Sequence, residues 1–153
     1  MENQSSTDLA PASASLLPPS VHPGSCHCGA VRFEAALDLG QSPSKCNCSI
    51  CLKASNLSAI AKPDAFRLLE GEGHLGSYAW GSKMSTRYFC KHCGIHVFGR
   101  GHLAELGGDY VSINVNTLDD VDPNTLSAVH WDGRHNNWHA GPRPEPWPVF
   151  AGP

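Results

Sequence analysis

The sequence predicts a mainly β domain of short strands with little helix, and three observations carry that prediction. Charged residues make up only 16% of the chain, while Gly and Pro number 15 and 12, a turn-rich composition unlike that of a helical bundle. Apolar and polar residues alternate with a period of two over Ala30-Val31-Arg32-Phe33-Glu34-Ala35, and Tyr110-Val111-Ser112-Ile113-Asn114-Val115 is the clearest strand of all. No long helical period occurs anywhere. A chain of 153 residues, 41% of them apolar, is long enough for one domain with a real core.

The elements follow in order. Residues 1–21, rich in Ser, Ala, Pro and Leu, read as a disordered tail. The domain is expected over 22–140, starting near His22. Gly24 to Gly29 reads as a tight turn before the first strand. Gly40 to Ser44 is a loop, and Lys45 to Leu52 is too rich in cysteine for an ordinary element. Ser58 to Ile60 is a short strand, Pro63 to Phe66 turns into another segment, and Phe66 to Leu69 is undecided between helix and strand. His74 to Trp80 and Ser85 to Phe89 are strands around a turn at Gly81-Ser82. Ile95 to Phe98 alternates and is expected to end in a turn at Gly99-Arg100-Gly101, too short for a phosphate loop. Residues 141–153 form an extended Pro-rich tail, part of a C-terminal stretch expected to cover the core.

A net charge of -3 with nine neutral histidines argues against nucleic acid as a partner, which calls for a basic face. No apolar run is long enough to span a membrane. Met1-Glu2-Asn3-Gln4 lacks the basic and apolar regions of a signal peptide. A reducing, cytoplasmic setting is therefore expected, and there seven cysteines are better suited to metal than to disulfides.

The cysteines fall in three clusters: Cys26-His27-Cys28, Cys46-Asn47-Cys48-Ser49-Ile50-Cys51, and Cys90-Lys91-His92-Cys93 followed by Gly94. A CxxC turn presents two sulfurs to one ion, and a second pair from elsewhere closes a tetrahedral site. Joining Cys26 and Cys28 to Cys90 and Cys93 makes a closed, structural zinc site whose binding energy becomes folding energy. Cys46, Cys48 and Cys51 then put three thiolates on a second zinc and leave a position open for substrate, as a catalytic site does. Other arrangements remain open on spacing alone. Cys48 and Cys51 pair with Cys90 and Cys93 in a zinc ribbon, an iron–sulfur cluster uses some of the seven thiolates, or the middle three hold no metal or recruit a histidine.

These residues resemble the glutathione-dependent formaldehyde-activating enzyme family, which includes the centromere protein V type of domain. The matching stretches are Gly24-Ser25-Cys26-His27-Cys28-Gly29-Ala30-Val31, Cys46-Asn47-Cys48-Ser49-Ile50-Cys51 and Phe89-Cys90-Lys91-His92-Cys93-Gly94. Val111-Ser112-Ile113-Asn114-Val115 with Leu118-Asp119, and His130-Trp131-Asp132-Gly133-Arg134, are also similar. The resemblance runs from about His22 to Trp138. It implies a β-tent fold of short antiparallel strands with two zinc ions, one structural on Cys26, Cys28, Cys90 and Cys93 and one catalytic on Cys46, Cys48 and Cys51. It also implies carbon–sulfur lyase chemistry, the reversible joining of glutathione and formaldehyde to S-(hydroxymethyl)glutathione. The alternatives are a non-catalytic zinc module that binds a macromolecule, or a lyase of the same fold on another small molecule.

Further polar and aromatic residues flank the clusters or lie elsewhere in the domain. His27 and His92, inside the cysteine turns, are expected to face solvent. His135 and His139, with Asn136, Asn137 and Trp138, either line the open site as acid–base groups or form a surface loop; the loop is favoured. Tyr78, Trp80 and Trp131 wall a pocket or, as aromatic residues more often do, fill the core. Arg87 and Arg100 are read as surface charges in preference to anchors for glutathione carboxylates. Lys45 and Lys53 flank the middle cluster and would lower thiolate pKa values there.

Overall fold

A computed structural model describes residues 19–150 of the chain. Among the described residues there are ten strands in two sheets and one short α-helix. Three strands form the smaller sheet: β1 (Ser20–Ser25), β2 (Arg32–Leu37) and β5 (Phe66–Glu70), in the order β1-β2-β5. The larger sheet contains β3 (Ser44–Cys46), β4 (Ser58–Ala61), β6 (Leu75–Tyr78), β7 (Ser85–Cys90), β8 (His96–Leu103), β9 (Gly108–Asn114) and β10 (Val129–Trp131). Its order is β10-β3-β4-β9-β8-β7-β6, antiparallel throughout except where β10 runs parallel to β3. The helix α1 (Ser49–Ala54) follows β3. Most of the segment read as an N-terminal tail, residues 1–18, lies outside the described residues; Ser20 and Val21 belong to β1.

The alternation in the sequence sets which side chains meet. In β2, Phe33, Ala35 and Leu37 point inward while Arg32 and Glu34 point out. In β9, Val111 and Ile113 are fully buried. Phe33 stacks on Phe66 at 5.4 Å, and Phe66 meets Phe98 of the larger sheet at 4.6 Å, so one aromatic run ties the two sheets together. Truncating Phe98 to Ala would cost about 3–5 kcal/mol by the usual loss for a buried aromatic residue.

Three local expectations are corrected. Gly99-Arg100-Gly101 is not a turn but the middle of β8. A Cβ on Gly99 would stand 3.1 Å from the Thr86 carbonyl oxygen, and one on Gly101 would run into the Tyr110 ring; both glycines permit close cross-strand approach. Gly24 likewise lies within β1, where its bare backbone accommodates the Phe33 ring, and the turn is confined to Cys26–Gly29, closed by Gly29 N–H to the Cys26 carbonyl at 3.2 Å. The segment from Phe66 to Leu69, undecided in the sequence, is a strand. Tyr78 and Trp80 are both about half exposed, at 51% and 49%, and do not belong to the core.

The sequence pattern also missed α1, which buries none of its six residues. Its start is Cys48, in the N-cap position, and the Leu52 N–H reaches the Cys48 carbonyl at 2.9 Å. Ser55 ends it in the left-handed conformation, φ 50°. A helix this short without an apolar face has no packing of its own to hold it, so its hold must come from the cysteines at its start.

Candidate metal centres

The seven thiols separate into two groups. The sulfurs of Cys26, Cys28, Cys90 and Cys93 all lie within 4.8 Å of one another, as do those of Cys46, Cys48 and Cys51. The zinc-ribbon pairing is thereby overturned: Cys48 and Cys51 belong with Cys46, and Cys90 and Cys93 with Cys26 and Cys28. Neither His27 nor His92 joins a group; His27 is exposed, and His92 Nε2 instead sits 2.8 Å from His74 Nδ1 at the surface.

The quartet is built from two turns at adjacent ends of the sheets. Cys26 and Cys28 occupy the β1–β2 turn, Cys90 ends β7, and Cys93 lies in the β7–β8 turn. Gly29 and Gly94, each following the second cysteine of its turn, adopt φ +80° and +76°, a conformation glycine takes without strain. Backbone N–H groups point at the sulfurs: Val31 N–H to Cys26 Sγ at 3.3 Å and His92 N–H to Cys90 Sγ at 3.4 Å. Cys28 Sγ stands 3.6 Å from both Cys26 Sγ and Cys90 Sγ. Four sulfurs about 2.3 Å from a single tetrahedral zinc would be about 3.8 Å apart, so the thiols present fit that ion. Cys26 and Cys90 are buried, 3% and 0% exposed, among the core residues.

The trio is placed differently. Cys46 ends β3, Cys48 caps α1 and Cys51 lies one turn further on; all three are half-buried. Cys48 N–H points at Cys46 Sγ, 3.4 Å away. Hydrogen bonds from the Cys46 and Cys51 thiols hold Cys48 far below the ordinary thiol range, at about 2, and the Arg87 charge pulls the same way; the bond to Cys48 in turn pushes Cys46 up. A cation seated among the three sulfurs would favour their deprotonated form.

A C-terminal loop closes over the trio, anchored by Asn47. The Asn47 side chain donates to Asp132 Oδ1 at 2.7 Å and accepts from the Arg134 N–H at 2.9 Å, and the Asn47 carbonyl accepts from Arg134 Nε at 3.0 Å. Asp132 is buried at 5% exposure and also bonds His135 Nδ1 at 2.7 Å and Asn137 Nδ2 at 3.2 Å. Burial alone would raise the Asp132 carboxyl, but these partners hold it below its ordinary value. Gly133 passes so near that a Cβ there would stand 2.5 Å from Cys46 Sγ and 2.7 Å from the Trp138 ring. His135 thus belongs to this loop through Asp132, while His139 is exposed. The segment from 141 onward joins the same layer: Arg143 and His130 exchange backbone hydrogen bonds, Trp147 Nε1 donates to the His130 carbonyl at 2.9 Å, and Asn47 Nδ2 reaches the Pro148 carbonyl at 3.4 Å.

Two side chains change their reading. Arg87 is no ordinary surface charge: its Nη2 donates to Cys51 Sγ at 3.1 Å. It pairs in register with Gly99, and Gly99 with Ser112, on the sheet face opposite Phe98, Val111 and Ile113. Arg100 lies on the other face, its guanidinium 5.3 Å from the Phe66 ring and 5.6 Å from that of Phe98. Arg87 is therefore the cation acting on Cys48 and Cys51, whereas Lys45 and Lys53 are exposed beside the cluster.

His96 and Asn56 escaped the sequence reading. Both ring nitrogens of His96 and Oδ1 of Asn56 are buried without a hydrogen-bond partner. Burial, helped by the Arg87 charge, pushes His96 down to about 4. Asn56 touches the trio through its N–H, 3.3 Å from the Cys51 carbonyl. Neither residue stands in a cysteine motif; Asn56 follows α1, and His96 is linked to the trio through the Arg87 charge that acts on both.

The comparisons with known proteins decide the family. The model of the family described as glutathione-dependent formaldehyde-activating enzyme matches residues 21–133. The chain belongs to this family. A Penicillium rubens protein whose name carries the same description is 31% identical over 108 residues, which cover 60% of this chain and 55% of that protein. The chain thus spans about half the length of that curated relative. A crystal structure of a Rhodobacter sphaeroides protein, also 31% identical, superposes with a TM-score of 0.63 over 71% of this chain and 98% of the other. The mainly β fold is that of the formaldehyde-activating enzyme family, and the cysteine groups of this member could hold zinc. Among the described residues no helix is long and apolar enough to cross a membrane.

Proposed function

We propose that this member of the family is a carbon–sulfur lyase with two zinc ions, acting on a glutathione-type thiol adduct in a reducing cytoplasm. The reaction is the reversible joining of glutathione and formaldehyde. The observation that carries the reading is the trio. Three thiol sulfurs lie within 4.8 Å, and no fourth cysteine, histidine or carboxylate joins them among the described residues. A quartet of the same donors closes around an ion, while a trio leaves one side open. Cys26, Cys28, Cys90 and Cys93 would hold the structural zinc, and Cys46, Cys48 and Cys51 the catalytic one.

When bound at the trio, zinc would stabilise the thiolate form of a substrate sulfur. The protein's own groups then have defined tasks. Asn47, Asp132 and Gly133 fix the loop over the sulfurs, and positioning of this kind is a large part of catalysis. As the sulfur adds to formaldehyde, the S–C bond forms and the C=O π pair moves to oxygen, which takes up the proton that the thiol gave up. No oxidant is consumed. We assign the hydrogen bond to that oxygen to neutral His96, whose two nitrogens lack protein partners; buried polar atoms left unmatched call for such a partner.

The test is an NMR exchange experiment on glutathione and formaldehyde, with and without protein. Acceleration over the spontaneous rate supports the named reaction; an unchanged rate with fully zinc-loaded protein rejects it.

A further inference from the structure

We propose that Arg87 sets the charge of the open site and so makes it selective for a thiolate as its fourth ligand. This rests on the reading that the trio takes an external thiol.

Three thiolates around a divalent ion leave the group with one net negative charge, and a fourth thiolate would make it two. A bare anionic site resists that fourth ligand. Arg87 is placed to offset it: its Nη2 lies 3.1 Å from Cys51 Sγ, and no other hydrogen bond of its guanidinium is found among the described residues. Arginine stays protonated, and its planar fork has five N–H donors. One is used on Cys51, leaving others for an incoming sulfur. The strand pairing fixes the approach: Arg87 projects from β7 between Tyr78 on one side and Gly99 on the other, and Gly99 has no side chain to compete for the guanidinium. The quartet has no equivalent. Its sulfurs receive backbone N–H groups from Val31 and His92, as suits a closed site with no further ligand to admit. Hydrogen bonds to charged groups contribute enough that removing the guanidinium should weaken thiolate uptake by about tenfold or more.

The test uses protein with cobalt(II) in place of zinc, in which sulfur-to-cobalt charge-transfer absorption reports each added thiolate. 2-Mercaptoethanol, which carries no carboxylate, and glutathione are titrated into the wild type, Arg87→Gln and Arg87→Lys. The expected result is weaker uptake of both thiols by Arg87→Gln, by a similar factor near tenfold, with most of the loss recovered in Arg87→Lys. Unchanged affinity in Arg87→Gln overturns the proposal and leaves the lyase reading standing. So does a loss confined to glutathione, which would make Arg87 a carboxylate anchor instead. If Arg87→Gln fails to retain cobalt at the trio while Arg87→Lys retains it, the charge role is supported; failure of both variants overturns it. A wild type that takes up neither thiol removes the lyase reading itself, and this inference with it.

Discussion

The two cysteine groups use one chemistry in opposite settings. The quartet is made by the ends of strands from both sheets, with Cys26 and Cys90 in the core. The trio hangs on a three-residue strand and a helix that buries nothing, beneath a loop held by Asn47 and Asp132. Four donors would saturate an ion and fasten the fold; three donors, with an arginine and a loop beside them, would leave a place for a further ligand. What differs is less the sulfur than what surrounds it.

The largest effect is expected from breaking the quartet. Cys90→Ser removes one of four ligands at a fully buried position, and structural zinc supplies on the order of 10 kcal/mol in small zinc domains. The variant should lose its dispersed NMR spectrum and cooperative melting. A folded Cys90→Ser protein would mean the core stands without this site. Cys48→Ala should behave in the opposite way: turnover disappears and one zinc is lost, while the melting transition persists. Only α1 should unwind, seen as loss of hydrogen-exchange protection at the Leu52 and Ser55 amides, whose backbone bonds define its turn. Retained turnover would exclude a catalytic role for the trio.

A smaller change comes from the covering loop. Asp132→Ala removes the acceptor shared by Asn47, His135 and Asn137. Residues that orient a metal site from behind its ligands commonly alter affinity by about 10- to 100-fold. Chelator should therefore strip the trio at least tenfold faster in this variant, with release from the quartet unchanged. Equal acceleration at both groups would show a general loosening instead.

The effect at His96 is confined to acid and is nil at neutral pH. Its pKa is lowered to about 4 in the folded chain, below the ordinary value near 6.5 of the unfolded one. The unfolded chain therefore binds the proton more readily, and stability falls as pH drops from about 6.5 toward 4, by about 3 kcal/mol at most. NMR shifts of the His96 ring should stay constant down to about pH 5. Titration of His96 near pH 6.5 would place it in water rather than in the protein interior.

How much of this was legible in the sequence follows from the range of the signal. Cysteine spacing is local, and the division into Cys26, Cys28, Cys90, Cys93 and Cys46, Cys48, Cys51 could be read from it together with the family resemblance. The strands were legible where alternation was clean, as in β2 and β9. Gly99 and Gly101 misled because glycine serves a turn and a close strand contact equally well, and only the facing Thr86 and Tyr110 distinguish them. Helix α1 was hidden because it has no apolar period to detect. Arg87 lies 36 residues beyond Cys51, so its role depends on strand register that no local pattern encodes. Asp132 stood inside a quoted motif, but its link to Asn47 crosses 85 residues.

The most direct test of the central division is a zinc count by native mass spectrometry on the wild type and Cys48→Ala. The account predicts two zinc ions in the wild type, one readily removed by chelator and one tightly held, and a single tightly held ion in Cys48→Ala. One zinc in the wild type, or two in Cys48→Ala, would contradict it.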